Sequence, residues 1–173
     1  MPITRLNHAV LYVSDVERSV AFYRDVLGFT RIPMGIDMPA AFLQAPGSTN
    51  DHDLGLFEIG TGPGRSQAGR STVGLYHLAW EVDTLAALEE TAAALQDAGA
   101  LTGASDHGTT KSLYGADPDG IEFEIAWIVP ADLLDDDALA ARSRIGRLDM
   151  EREKARYGAD TKGGIGISQP AIG

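Results

Sequence analysis

Apolar and polar positions along the chain lay out one order of elements twice. The run TRLNHAVLYV (4–13) reads as a strand, and Ser14-Asp15 behind it supplies a helix N-cap. Val16, Val20, Tyr23 and Leu27 then recur at helical spacing up to Gly28, the residue type that closes helices. Three short β-rich runs follow: FTRIPMG, AAFLQA and DLGLFEIG. After a glycine-rich stretch, 61–72, with the composition of an exposed loop, the order starts again. GLYHLAWEV is a strand, Asp83-Thr84 a cap, LAALEETAAALQDAG a helix ending at Gly99, and GASDHG, TKSLYGA and IEFEIAWI are strands. Placing His8 on His77 also places Val13 on Val82 and Val16 on Leu85. This predicts an α+β fold of two βαβββ modules, about 1–62 and 72–129, forming one curved, mostly antiparallel sheet within a domain spanning 1–129. Beyond Pro130, the stripe Leu134, Ala138, Ala141, Ile145 and Leu148 predicts a C-terminal helix over 130–157, packed on the body or on a second subunit. A homodimer or larger homo-oligomer is expected from it. Residues 158–173 are expected to form a flexible tail.

Composition narrows the partners. The 173 residues suit one domain or two small modules sharing a core. A formal charge of −11 argues against nucleic acid, whose phosphates need a basic face. No apolar run approaches the roughly 18 residues of a membrane span, and the N-terminus lacks a signal-like segment, so neither a membrane partner nor export is expected; the chain is expected to be cytoplasmic. Without cysteine, any metal must be held by nitrogen and oxygen.

His8 falls in an apolar strand, sharing a face with Val10 and Tyr12. Such a histidine is more often a satisfied core residue than a ligand. The repeat alters that balance, because His77 takes the matching place in the second module. In IEFEIAWI, Phe123, Ile125 and Trp127 share one face, leaving Glu122, Glu124 and Ala126 on the other. A buried carboxylate there needs a cation or strong donors. Glu122, nearer the turn, reads as reaching water; Glu124 reads as a ligand. His8, His77 and Glu124 together make a two-histidine, one-carboxylate set suited to Fe(II) or Mn(II) with open positions, although zinc takes the same ligands. The remaining two of the four histidines, His52 and His107, read either as loop residues or, given their strand-end positions in a repeat framework, as part of the same site.

The stretch NHAVLYVSDVERSVAFYRDVLGF and the order of elements resemble the vicinal oxygen chelate superfamily of glyoxalases, bleomycin and fosfomycin resistance proteins and extradiol dioxygenases. His107, Leu113, Tyr114, Asp117, Pro118, Gly120 and Glu124 are similar to the extradiol ring-cleaving signature; Ser105 departs from it. The resemblance, over about 4–129, implies a single-domain relative of the type I (catechol 2,3-dioxygenase-like) enzymes. His8, His77 and Glu124 would bind the metal. His52 would be the acid–base histidine, and His107 and Tyr114 would contact substrate oxygens. It further implies an Fe(II) cofactor (Mn(II) as the variant), a catechol-type substrate, O2 as co-substrate, and ring opening next to the diol.

Two other readings stay open. A glyoxalase I-like lyase would draw a fourth ligand from Glu58. His52 and Glu58 lie on one face of a strand, roughly 20 Å apart at strand rise, so one of them at most belongs to the metal. His107 and Tyr114 have no place in the glyoxalase scheme, which favours His52. A non-catalytic antibiotic-binding relative needs no ligands, and this chain keeps all three.

Overall fold

A computed structural model describes residues 2–168, apart from residues 4, 36, 63 and 65–70. The glycine-rich stretch expected as a loop lies mostly outside the described residues. The chain divides into two compact units, Met1–Gln67 with Asp117–Gly120, and Ala68–Ala116 with Ile121–Gly173.

In the first unit, strand β1 (Ala9–Val13) leads into helix α1 (Val16–Leu27), followed by β2 (Thr30–Ile32), β3 (Ala40–Gln44) and β4 (Leu54–Glu58). The sheet order is β1-β4-β3-β2, with β1 parallel to β4 and the other pairs antiparallel. Helix α1 starts where expected: the Asp15 carboxylate accepts from the Arg18 amide. It stops at Gly28, whose φ of 74° is open to glycine at little cost. Its inner face buries Val16, Val20 and Tyr23, and the strands bury Leu11, Val13, Leu43, Leu54 and Leu56. Each fully buried leucine contributes about 1.5–3 kcal/mol, so this apolar layer outweighs any one cap. The four-residue turn Asp117–Gly120 belongs to this unit. Asp119 accepts from the Ser14 amide and hydroxyl and from Arg18, and the Tyr23 hydroxyl donates to Asp117 at 3.3 Å. Burial pushes the Asp119 carboxyl up, but these Ser14 and Arg18 contacts prevail and hold it below its ordinary value.

The second unit repeats the plan with β5 (Leu78–Glu81), α2 (Leu85–Asp97), β6 (Leu101–Asp106), β7 (Thr110–Ala116) and β8 (Glu122–Ile128), in sheet order β5-β8-β7-β6. Again the first strand is parallel to the last and the rest are antiparallel. The α+β class and the repeated βαβββ order hold, and the strands form a separate four-stranded mixed sheet in each module where the sequence suggested a single one. Thr84 caps α2, which buries Leu85, Leu88 and Leu95. Phe123, Ile125 and Trp127 of β8 are buried on the helix side, as their alternation predicts, and Trp127 meets the Tyr157 ring at a tilt, centroids 5.6 Å apart.

The C-terminal segment differs from expectation. In place of one helix over 130–157 there is a 3₁₀ turn (Ala131–Leu133) and two short helices, α3 (Asp136–Ala141) and α4 (Met150–Tyr157), capped by Asp135 and Asp149. Between them Gly146 exchanges both backbone hydrogen bonds with Asp106, at 2.8 and 2.9 Å, which an uninterrupted helix could not offer. Ile145, assigned to the apolar stripe, is therefore 80% exposed. The expected tail is held as far as residue 168. The Gly163 amide donates to Asp83 O at 2.7 Å, and the Ser168 hydroxyl donates to Ile128 O at 2.8 Å. Residues 169–173 lie outside the described residues. Among the described residues no helix is long and apolar enough to cross a membrane.

Candidate metal and acid–base residues

The histidines assigned to strands sit just ahead of them. His8 immediately precedes β1 and His77 immediately precedes β5, not mid-strand, so the two occupy the same place in each module. Just ahead of a strand the backbone is not yet held in its ladder and can aim a side chain. His52 stands two residues before β4, and the Asp53 carbonyl between them accepts from the Ala9 amide at 2.9 Å. That pairing of β1 with the approach to β4 brings the His8 and His52 rings within 4.6 Å, and Phe42 packs edge-on against His52 at 4.9 Å. Each ring is also oriented by its neighbour in sequence: Asn7 Oδ1 is 2.7 Å from His8 Nδ1, and Asp51 Oδ2 is 3.0 Å from His52 Nδ1. The first unit thus joins a proposed ligand to the proposed acid–base residue.

Glu58, the rival ligand, is occupied elsewhere in that unit. At the far end of β4 its Oε2 accepts from the Val16 amide at 3.0 Å, neutralising a free donor at the start of α1.

In the second unit four of the predicted residues gather on the sheet face opposite Trp127. Because β5 is parallel to β8, Ala79 pairs with Glu124, and His77 Nε2 comes to 3.0 Å from Glu124 Oε2. Tyr114 pairs directly with Glu124 across β7 and β8. Its hydroxyl lies 2.8 Å from His107 Nε2, and its ring centroid is 6.0 Å from that of His77. His107 stands in the turn between β6 and β7, where Gly108 has φ 74°. A Cβ at Gly108 would come within 2.2 Å of the Ala138 carbonyl oxygen, so the packing of α3 and the aim of His107 both require glycine there. Burial pushes the Tyr114 hydroxyl above the ordinary tyrosine value and the Glu124 carboxylate adds to this, against hydrogen bonding with Ser105 and Ser112. Tyr114 is therefore a neutral phenol at physiological pH.

Ser112 escaped the sequence reading. It is fully buried on the Tyr114 face of β7, and its hydroxyl donates to Glu124 Oε1. A serine between Lys111 and Leu113 carries no periodic signal; only the pairing of β7 with β8 reveals its partner.

Among the described residues no three His, Asp or Glu side chains gather around one point as a ready cage for an ion. His77 and Glu124 nevertheless fit as a pair. Two neighbouring ligands, each at about 2.1 Å from a divalent cation and at right angles, are roughly 3 Å apart. That is the spacing of Nε2 and Oε2. His77 Nδ1 is buried with no hydrogen-bond partner among the described residues, so the ring is oriented by its Nε2 contact with Glu124 and not by an acceptor behind it.

Comparison with known proteins agrees with this architecture. Metapyrocatechase 2 from Cupriavidus necator is 31% identical over 112 residues, 65% of this chain but 30% of that protein, so the chain spans under a third of this relative. A glyoxalase/bleomycin resistance protein/dioxygenase domain from Frankia sp. superposes with a TM-score of 0.60 at 22% identity, covering 73% of this chain and 93% of the other. A genomically encoded fosfomycin resistance protein from Listeria monocytogenes gives 0.56 at 18% identity, covering 82% and 99%. The family model described as the Glyoxalase/Bleomycin resistance protein/Dioxygenase superfamily matches residues 5–125, the two modules just described, and the chain belongs to that superfamily.

Proposed function

We propose that this protein is an Fe(II)-dependent extradiol dioxygenase, opening a catechol-type ring beside the diol with O2. The observation that carries the reading is the meeting of His107 and Tyr114 at 2.8 Å on the face that pairs His77 with Glu124. A hydrolytic or isomerising metal site has no evident use for that hydrogen-bonded couple. The partial match to a metapyrocatechase supports the same direction.

His77 and Glu124 would hold the iron, with His8 as the third ligand by its equivalent place in the first module; Mn(II) fits the same donors. When bound, the ion supplies the chelation point for adjacent phenolic oxygens and for dioxygen. The remaining tasks fall to side chains. Tyr114, kept neutral, donates its O–H to a substrate oxygen as negative charge develops there. His107 Nε2, as the donor in their 2.8 Å contact, orients that hydroxyl and leaves its one proton free for the substrate. His52, steadied by Asp51 and Phe42, gives the proton that O–O cleavage requires. The glyoxalase alternative loses its extra ligand to the start of α1, where Glu58 is engaged.

The test is anaerobic reconstitution with Fe(II), followed by a panel of catechols under oxygen. A ring-opened semialdehyde chromophore is expected. His8→Ala, His77→Ala and Glu124→Ala should each lose most of the iron. Full iron and activity in Glu124→Ala would sink the proposal.

A further inference from the structure

Glu124 has two oxygens with different partners. Oε2 faces His77 Nε2 at 3.0 Å, and Oε1 accepts from the Ser112 hydroxyl at 2.5 Å. Ser112 stands opposite Ala126 and Tyr114 opposite Glu124, so the serine reaches the carboxylate diagonally across the ladder. The hydroxyl is wholly buried, on a strand hydrogen-bonded along both sides. Its position is therefore set by backbone, not by a mobile side chain. A charge-assisted bond of this kind is about twice as strong as a neutral one.

We propose that Ser112 is a positioning residue that divides the labour of the Glu124 carboxylate. By holding Oε1 it leaves one oxygen, Oε2, to serve a divalent cation together with His77. The inference rests on the metal reading above and adds to it. A carboxylate without this tether can turn both oxygens toward the ion or swing away from His77. Offering a single oxygen keeps more of the ion's positions open for a chelating substrate and O2. Hydrogen-bond partners of metal ligands are commonly worth 10–100-fold in affinity.

The experiment is titration of the full-length protein with Mn(II), following free Mn(II) by electron paramagnetic resonance, alongside urea denaturation of each metal-free variant. Ser112→Ala should weaken Mn(II) binding by about 10–100-fold. Ser112→Thr and Ser112→Val have nearly the same shape and differ by the hydroxyl, so they serve even if the alanine variant folds poorly. Threonine should bind close to wild type, and valine should match alanine. Equal binding by the threonine and valine variants, or unchanged binding in Ser112→Ala, overturns the role of Ser112. If wild type and Glu124→Ala bind Mn(II) equally, the metal reading itself has failed, and that failure shows in an arm that does not involve Ser112.

Discussion

Lys111 Nζ lies 2.9 Å from Glu153 Oε2, and both side chains are cut off from solvent. The contact is an ion pair and not an aligned hydrogen bond. It ties β7 to α4, and Asp106 Oδ1 and the Tyr157 ring complete the surroundings of the lysine. Each charge has a second partner, Asp106 for Lys111 and Arg152 for Glu153 at 2.8 Å, so losing one member of the pair should cost less than the roughly 3–5 kcal/mol of a fully stranded buried charge. Glu153→Gln, which leaves Lys111 with Asp106, should lower urea stability by about 1–3 kcal/mol, less than Lys111→Met, which leaves Asp106 and Glu153 to share Arg152. A single variant as stable as wild type would show that α4 contributes little.

Glu58→Ala separates the enzymatic readings. Because Glu58 caps the first amide of α1, the variant should keep its metal and lose about 1 kcal/mol of stability. Metal analysis and a denaturation curve on the same sample check both halves. Loss of metal would favour the glyoxalase reading.

Tyr114→Phe removes one hydroxyl from the pair with His107 and leaves the His77–Glu124 contact in place. Iron content and catechol affinity should persist while turnover falls roughly 10–10³-fold, as for a lost oxyanion donor. Unchanged turnover would reduce the couple to a packing contact.

His52→Phe preserves an aromatic ring beside His8 and Phe42. It should bind iron and substrate yet slow the oxygen step, with a loss of about 10²–10⁴-fold if general acid assistance is removed. Rapid mixing with oxygen resolves the step, and wild-type rates at full iron loading would rule out proton transfer from His52.

Asp119 predicts a pH dependence of stability. Its carboxyl is held below the ordinary aspartate value in the fold, so it binds fewer protons folded than unfolded near pH 4. Its contribution is present above the unfolded value of about 3.9 and is lost as pH falls through the depressed folded value. Between pH 6 and 2, wild type should lose more stability than Asp119→Asn. Parallel denaturation midpoints across that range would contradict it.

What the sequence made legible was local or repeated. Asp15, Gly28 and Thr84 announce helix ends by chemistry that acts within a few residues, and His8 and His77 announce each other by taking the same place in two modules. Glu124 was legible because alternation along one strand separates its face from that of Trp127. Lys111 was not: a lysine in a strand reads as solvent-facing, and its partner, Glu153, is far off in sequence. The C-terminal segment misled because its apolar spacing continues across Gly146, where a backbone bridge to Asp106 decides otherwise. Ser112 and Glu58 likewise owe their roles to partners that only the folded sheet supplies.

Strand β7 has consequences for how this protein can change. Lys111 and Leu113 face the helices, while Ser112 and Tyr114 face the carboxylate, so adjacent codons answer to different demands. Deleting a single residue there would turn every following side chain over. The lysine would then arrive beside Glu124, and the tyrosine among leucines. Changes of length are thus barred from this strand, and are left to segments whose two faces do not both matter.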